Sequence, residues 1–198
     1  MIRLMGILLL GATLSAYDAV HLKKALEEKE CVGCDLRGAD LNNTDFSGGD
    51  LSHSDLSGAN VRNSIFMMCS LDDANLSGAK AEGSIFWKSS LERSDLRGIQ
   101  AKGANFKGAH LVHSNLDHAD LRGTKSWKAD FTEAHLDHTD FTDAELGDAK
   151  FIRTDLRAAT MENTLLWQSH FSDTAMTARQ CDWARKEEAL LDADSTCH

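Results

Sequence analysis

Bulky apolar residues recur every five positions along most of the chain, and the phase never changes. Leu36, Leu41, Phe46, Leu51, Leu56 and Val61 open the series, and Phe151, Leu156, Met161, Leu166, Phe171 and Met176 close it. All eight phenylalanines fall in this register, and only Ala81, Ala101 and Ser126 break it with something small. Two residues before each bulky position stands a small side chain, as at Ala39, Thr44, Ser54 and Ala59. A period of five fits neither an α-helix (about 3.6) nor a strand (about 2). It fits a coil of short sides, each sending two residues inward and three outward. A second period counts the sides. Phe46, Phe66, Phe86 and Phe106 are spaced by twenty, as are Phe131, Phe151 and Phe171, while Trp87, Trp127 and Trp167 follow at gaps of forty. Four sides per coil predict a square, all-β solenoid whose coils hydrogen-bond backbone to backbone with a rise of about 4.8 Å. The register from Leu36 to Cys181 then makes about seven and a half coils, a rod of roughly 36 Å.

The inward columns support this register. One is Leu from Leu36 to Leu156 and ends in Met176. A second runs Phe46, Phe66, Phe86, Phe106, Ser126, Leu146, Leu166, and a third runs Leu51, Leu71, Leu91, Leu111, Phe131, Phe151, Phe171. The aromatic changes column at Ser126, so interior volume is conserved coil by coil, as close packing requires. The chain has no proline, which agrees with a ladder that needs nearly every backbone N–H. Gly38, Gly58, Gly78 and Gly98 recur at one corner, where a positive φ is expected.

The repeating unit reads small, Asp or Asn, Leu or Phe, polar, any: Ala39-Asp40-Leu41-Asn42-Asn43, Ser54-Asp55-Leu56-Ser57-Gly58, Ala119-Asp120-Leu121-Arg122-Gly123. It resembles the pentapeptide-repeat family over about three quarters of the chain, departing at Ser126 and in the last units, Met176 and Cys181. The resemblance implies a right-handed quadrilateral β-helix. It also implies one function: cytosolic members, the Qnr-type quinolone-resistance proteins, are acidic dimers that imitate DNA and bind gyrase.

The raw ends of a solenoid need covers. Residues 17–30 predict a short amphipathic helix with Ala19, Leu22 and Leu26 on one face, and residues 183–193, with Trp183, Ala184, Leu190 and Leu191, predict a second. Residues 1–16 differ in kind. A short positive start ending in Arg3, an apolar run from Leu4 to Leu14 and the small pair Ser15-Ala16 read as a signal peptide cut before Tyr17; an uncleaved anchor or a buried helix are the alternatives. No lipid-attachment Cys follows the run, and once it is removed no membrane span is expected. The chain thus divides into a signal peptide (1–16), a helical cap (17–33), the repeat β-helix (34–181), and a C-terminal helical cap and tail (182–198). Export to a periplasm, the cell exterior or an organelle lumen permits disulfides. Cys31 and Cys34 are read as a small disulfide pinning the first cap, and Cys181 with Cys197 as a second; a free Cys197, or Cys34 as a core thiol, are the alternatives. Cys69 sits at an inward small position and reads as an inert buried thiol.

The formal net charge of −10 becomes −11 once Arg3 leaves, and much of it comes from Asp just before the bulky residue. Such acidity argues against direct nucleic-acid binding. It reads either as a solvated structural position or as the charge of a DNA mimic. Catalysis finds no foothold: the chain has no glycine-rich phosphate loop, GxSxG or HExxH, and no cofactor is expected. A filled rod offers no deep pocket.

Two surfaces stand out. One carries Ile65, Met67, Met68, Ile85, Trp87, Trp127, Leu165 and Trp167 at outward positions, with Lys88, Lys107 and Lys128 among them. Exposed apolar stripes mark interfaces and Trp is favoured in hot spots, so a protein partner or a second copy is expected there. The alternatives are cover by the N-terminal helix, or aromatic tips that shield the ladder. The other surface duplicates Asp117-His118 as Asp137-His138 one coil on. Stacked imidazoles and carboxylates would suit a divalent ion such as zinc. Repeat duplication alone explains them equally, as solvation explains His110, His113, His135 and His170. The main reading is an exported, non-catalytic scaffold. A gyrase-binding DNA mimic and a metal-binding envelope protein are its rivals.

Overall fold

The computed structural model describes residues 17–198, so the signal-peptide reading of 1–16 lies outside the described residues. The fold is a four-sided solenoid. Parallel bridges join residues twenty apart at successive sides, as in Asp35↔Asp55, Asp40↔Asn60, Asp45↔Ile65 and Asp50↔Ser70. Each bridge uses two bonds: the Leu36 N–H donates to the Asp55 carbonyl (2.8 Å), and the Asp55 N–H donates to the Cys34 carbonyl (2.8 Å). Between bridges the chain turns. The Ala39 N–H donates to the Leu36 carbonyl (3.0 Å) and the residue before it has positive φ, as in a type II turn. The same left-handed corner holds Gly38 (φ 63), Asn63 (φ 55), Lys128 (φ 60) and His138 (φ 54) alike. The glycines at 38, 58, 78 and 98 therefore favour one side without being confined to it by backbone geometry.

Where the bridge residue is Asp or Asn, its side chain caps the turn that follows. Asp45 Oδ1 accepts the Ser47 N–H (2.8 Å), Asp55 that of Ser57 (2.9 Å), Asn75 that of Ser77 (3.0 Å) and Asn115 that of Asp117 (2.9 Å). Asn serves as well as Asp, so this position selects an acceptor oxygen and charge is secondary. At four corners the carboxylate also holds an arginine two residues on: Asp35–Arg37, Asp95–Arg97, Asp120–Arg122 and Asp155–Arg157.

Inside, Phe46, Phe66, Phe86 and Phe106 stack with ring centroids 5.2, 5.0 and 4.8 Å apart. Phe131, Phe151 and Phe171 stack likewise at 5.1 Å, and Phe141 meets Phe131 edge-on at 5.7 Å. The fourth column shrinks to Ala81 and Ala101 in the coils of Phe86 and Phe106, while Leu41 and Val61 stand in those of Phe46 and Phe66. Ile99, buried, takes a small-residue position beside Ala101. Buried hydroxyls bond to backbone. Ser64 and Ser84 donate to carbonyls of the preceding coil, at Leu41 (2.7 Å) and Val61 (2.6 Å), and Ser94 donates to Leu91 (2.6 Å). Ser126 is buried 3.3 Å from the Thr124 hydroxyl, which keeps its own bond to the Leu121 carbonyl (2.8 Å).

Helix α1 (Ala19–Glu28) begins at Asp18, whose carboxylate accepts the Val20 N–H (2.7 Å). Its buried side differs from the expected Ala19/Leu22/Leu26 face: Ala25 is buried, Leu22 is half-buried, and Ala19, Val20 and Leu26 are exposed. Polar docking sets this rotation. The Asp35 N–H donates to His21 Nδ1 (3.0 Å) and the Asp18 N–H to the Asp35 carbonyl (3.1 Å). The Cys31–Cys34 disulfide joins cap and first coil. The C-terminal cap also departs from the expected 183–193 helix: its helix begins before the 182 boundary, and the 182–198 segment carries two short strands besides helix. Short strands β1 (Lys150–Ile152), β2 (His170–Ser172) and β3 (Ala175–Met176) lead into helix α2 (Ala178–Lys186). The chain then returns to the ladder: β4 (Leu190–Leu191) pairs with β2, and β5 (Thr196–Cys197) with β3. A capping box, Thr177 with Gln180, starts α2 five residues earlier than its apolar residues suggest. Leu190 and Leu191 keep the spacing of twenty from His170 and Phe171, and so join the sheet. Cys181 and Cys197 are bonded, fastening helix to final strand. Cys69 is a free buried thiol, pushed up to about 12 by burial.

A methyl group on Gly49 would come within 2.4 Å of the Lys29 carbonyl oxygen, which accepts the Asp50 N–H (2.9 Å). Gly49→Ala is expected to destabilise the protein by about 1–3 kcal/mol in urea unfolding, because backbone must move. Acid is expected to act through the arginine-bound carboxylates. The Arg37 hydrogen bond holds Asp35 at about 2, and Arg97, Arg122 and Arg157 hold Asp95, Asp120 and Asp155 below the ordinary range in the same way. Their stabilisation is complete above the ordinary Asp value of about 3.9 and is lost as pH falls through the depressed values. Tm should fall between about pH 4 and pH 2, and an Asp95→Asn, Asp120→Asn variant should fall less steeply.

Candidate functional site

One side of the solenoid is built from the outward residues around the Phe46–Leu166 column. Its ladder runs Asp45↔Ile65↔Ile85↔Asn105↔Lys125↔Glu145↔Leu165. A parallel row of backbone bonds joins Met68 to Trp87, Lys88 to Lys107, Gly108 to Trp127, Lys128 to Gly147 and Asp148 to Trp167. The expected residues therefore lie on one continuous face. They are not equally open. Met68 (56%), Leu165 (49%) and Trp167 (49%) are exposed, while Ile65, Met67, Ile85, Trp87 and Trp127 are half-buried. Helix α1, at the end of the rod, leaves Met68 open.

The half-buried tryptophans have specific supports. Trp127 lies across Gly147, where a β-carbon would sit 2.5 Å from the indole ring, and reaches Trp167 two coils away at 6.1 Å. Trp127 Nε1 donates to Glu145 Oε2 (3.2 Å), which fixes the ring in its plane. Trp87 carries the Lys88 ammonium 4.6 Å above its ring. Lys125, Glu145 and Gly147 belong to this site although the sequence reading passed over them. Their signal was available: each shares the spacing of twenty that places the tryptophans.

The duplicated His face comes together only in part. The His118 and His138 rings stack at 5.2 Å, and Asp117 Oδ1 accepts the Asp137 N–H (3.0 Å) instead of facing a shared ion. Among the described residues no three His, Cys, Asp or Glu side chains converge to hold a metal. Two open clefts are found: one of about 630 Å³ beside α2, edged by Arg157, Met161, Glu162, Arg179 and Trp183, and one of about 560 Å³ on the solenoid, edged by Asp117, Glu133, His135, Asp137, Arg153 and Asp155. No described helix is long and apolar enough to cross a membrane.

The family model of pentapeptide repeats matches in eight copies, over residues 30–66, 69–108, 89–125 and 129–168. No curated protein matches the chain. Among solved structures, the chain is similar to trypsin-treated QnrB1, a plasmid-mediated fluoroquinolone resistance protein, at 16% identity, with 74% of this chain and 88% of that one covered and a TM-score of 0.43. It is similar to a pentapeptide repeat protein from Nostoc Pcc 7120 at 22% identity, covering 58% and 84%, TM-score 0.35. It is also similar to Rfr23 of the cyanobacterium Cyanothece 51142 at 18% identity, covering 90% and 98%, TM-score 0.26.

Gly147→Ala is expected to push the Trp127 ring off its seat. Near-UV circular dichroism should lose the contribution of the Trp127–Trp167 pair, while the indole's freedom to swing outward keeps the stability cost below about 2 kcal/mol.

Proposed function

This chain belongs to the pentapeptide-repeat family, and from that premise we propose that it is a non-catalytic scaffold, a right-handed four-sided β-helix of about seven and a half coils that holds a protein partner against its Ile/Met/Trp face. The observation that carries the reading is the set of large apolar side chains on one side of a rod whose interior is already filled: Met68, Leu165 and Trp167 are open there, and Ile65, Met67, Ile85, Trp87 and Trp127 are half-buried. Large apolar groups that the core does not need are what interfaces present. Work in an oxidising compartment outside the cytosol belongs to the same reading. Two disulfides fastening the caps and the leader-like residues 1–16 support it.

Mimicry of DNA toward gyrase draws on the acidic surface. The turn-capping duty of those Asp residues, shared with Asn60, Asn75 and Asn115, gives the acidity a reason within the fold. Metal binding in an envelope draws on the stacked His118 and His138 alone.

The test is a photo-crosslinking residue placed at Trp167 and, as control, at Arg97 on another side, in cells that are then fractionated. Adducts to another protein should form from position 167 well above position 97, in the extracytoplasmic fraction, on a chain that starts at Tyr17. Equal yields from both positions would dismiss the face, and a full-length cytosolic chain would dismiss export.

A further inference from the structure

The face has a polar pattern as well as an apolar one. Its open apolar groups form two patches, one at Met68 and one at Leu165 and Trp167, and between them lie Lys88, Lys107, Lys125 and Lys128. These four ammonium groups are exposed, and none has a carboxylate within 4.0 Å, although the chain carries a net charge of −10. On the other sides the arginines are paired, as Arg62 is with Glu82 (2.8 Å) and Arg93 with Asp73 (2.9 Å). Glu145, bridged to Lys125 in the ladder, turns instead to the indole N–H of Trp127. Lys80 and Lys102 on the other sides are also without an ion-pair partner among the described residues, but only this face groups four such cations, in the middle of its apolar patches.

We propose that this face receives a protein partner whose own surface has an acidic centre flanked by apolar groups. The inference rests on the interface reading above and specifies its occupant. Charge complementarity favours it over a second copy. A two-fold that lays Met68 of one copy on Leu165 and Trp167 of the other passes between the coils of Lys107 and Lys125, and gathers the lysines of both copies at the axis. A two-fold parallel to the rod sets each lysine opposite its own mate. Either arrangement puts like charges in the interface core, where they cost most. Complementarity also disfavours a nucleic acid or another polyanion. Such a ligand has no use for Met68, Leu165 or Trp167, and the rest of the rod repels it. The patches stand five coil steps apart, about 24 Å, the length of a helix of about 16 residues.

The test is selection of a displayed library of random peptides, each about 16 residues long, on the rod with both disulfides intact. Wild type is compared with a Lys107→Ser, Lys125→Ser variant and with Trp167→Ser, each first checked for unchanged Tm. The expected winners carry clustered Asp or Glu bounded by aromatic or aliphatic residues. They should bind on the order of tenfold more weakly to the lysine variant and to Trp167→Ser, and lose affinity as salt rises. Winners sensitive to Trp167 but indifferent to the lysines would overturn the acidic-partner proposal and leave the interface reading standing. Winners indifferent to all three substitutions, or no winners, would overturn both. A dimer in light scattering that Trp167→Ser dissociates would make the occupant a second copy. Tight binding of heparin or an oligothymidylate that needs the lysines but not Trp167 would make it a polyanion.

Discussion

The coil-to-coil backbone ladder is the constraint on which everything else in this protein depends. Along most of the rod the N–H of the bulky residue reaches the carbonyl nineteen residues ahead, as Leu56 reaches Asn75 (2.7 Å), while the N–H at the bridge reaches back, as Asn75 reaches Ser54 (2.9 Å); among the described residues no bridge joins His135 to Asp155, where the ladder opens. These bonds fix the register at twenty residues. A slip of one residue would turn every Phe and Leu outward, so ladder and core enforce one another. Once the register is set, three residues of every five have no place inside. Of these, one caps a turn and one occupies a left-handed corner. The remaining freedom, chiefly the choice of side chain at the outward positions, is where a function can be written.

That division explains why chemistry is sparse and surface is abundant. The interior stacks of Phe and Leu fill the rod, and its two clefts, one beside α2 near Trp183 and one at His135 and Asp155, are open surface features. The Asp residues at bridges are committed to turns, as Asp45, Asp55, Asp120 and Asp140 are. On the Ile/Met/Trp side, Met68, Leu165 and Trp167 are large apolar groups that stay open to solvent. Trp127 needs Gly147 beneath it and Glu145 beside it, an arrangement spread over two coils that shapes the surface instead of the core.

Much of this was legible in the sequence because a solenoid converts spacing directly into contact. The Phe stacks, the four sides, the buried Cys69 and the common face of Trp87, Trp127 and Trp167 follow from counting by five and by twenty, and the two disulfides agree with one of the readings of the cysteines at the caps. Where the period stops, so does the reading. The apolar residues of α1 suggested a face that its polar docking through Asp18 and His21 overrides. Leu190 and Leu191 looked helical beside Trp183, yet they sit one coil beyond His170 and Phe171, and the ladder captures them. The left-handed corners were visible only through glycine, although Asn, Lys and His occupy the same conformation. Side-chain orientation at partly open positions, such as Asp117 turning to the Asp137 N–H, has no signature in spacing at all.

The central claim is that the inward two residues of each repeat make the fold while the Ile/Met/Trp side is maintained for another purpose. It is tested most directly by substituting every position of residues 31–177 with Asp and with Ser and measuring the abundance of folded protein in cells. Intolerance is expected at the bulky and small inward positions, such as Leu96 and Ala79, with Met68, Leu165, Trp167 and the four lysines as tolerant as outward residues on the other sides. If Met68, Leu165 and Trp167 proved as intolerant as Leu96, the face would be part of the folding core and the account of it as a surface kept for a partner would be wrong.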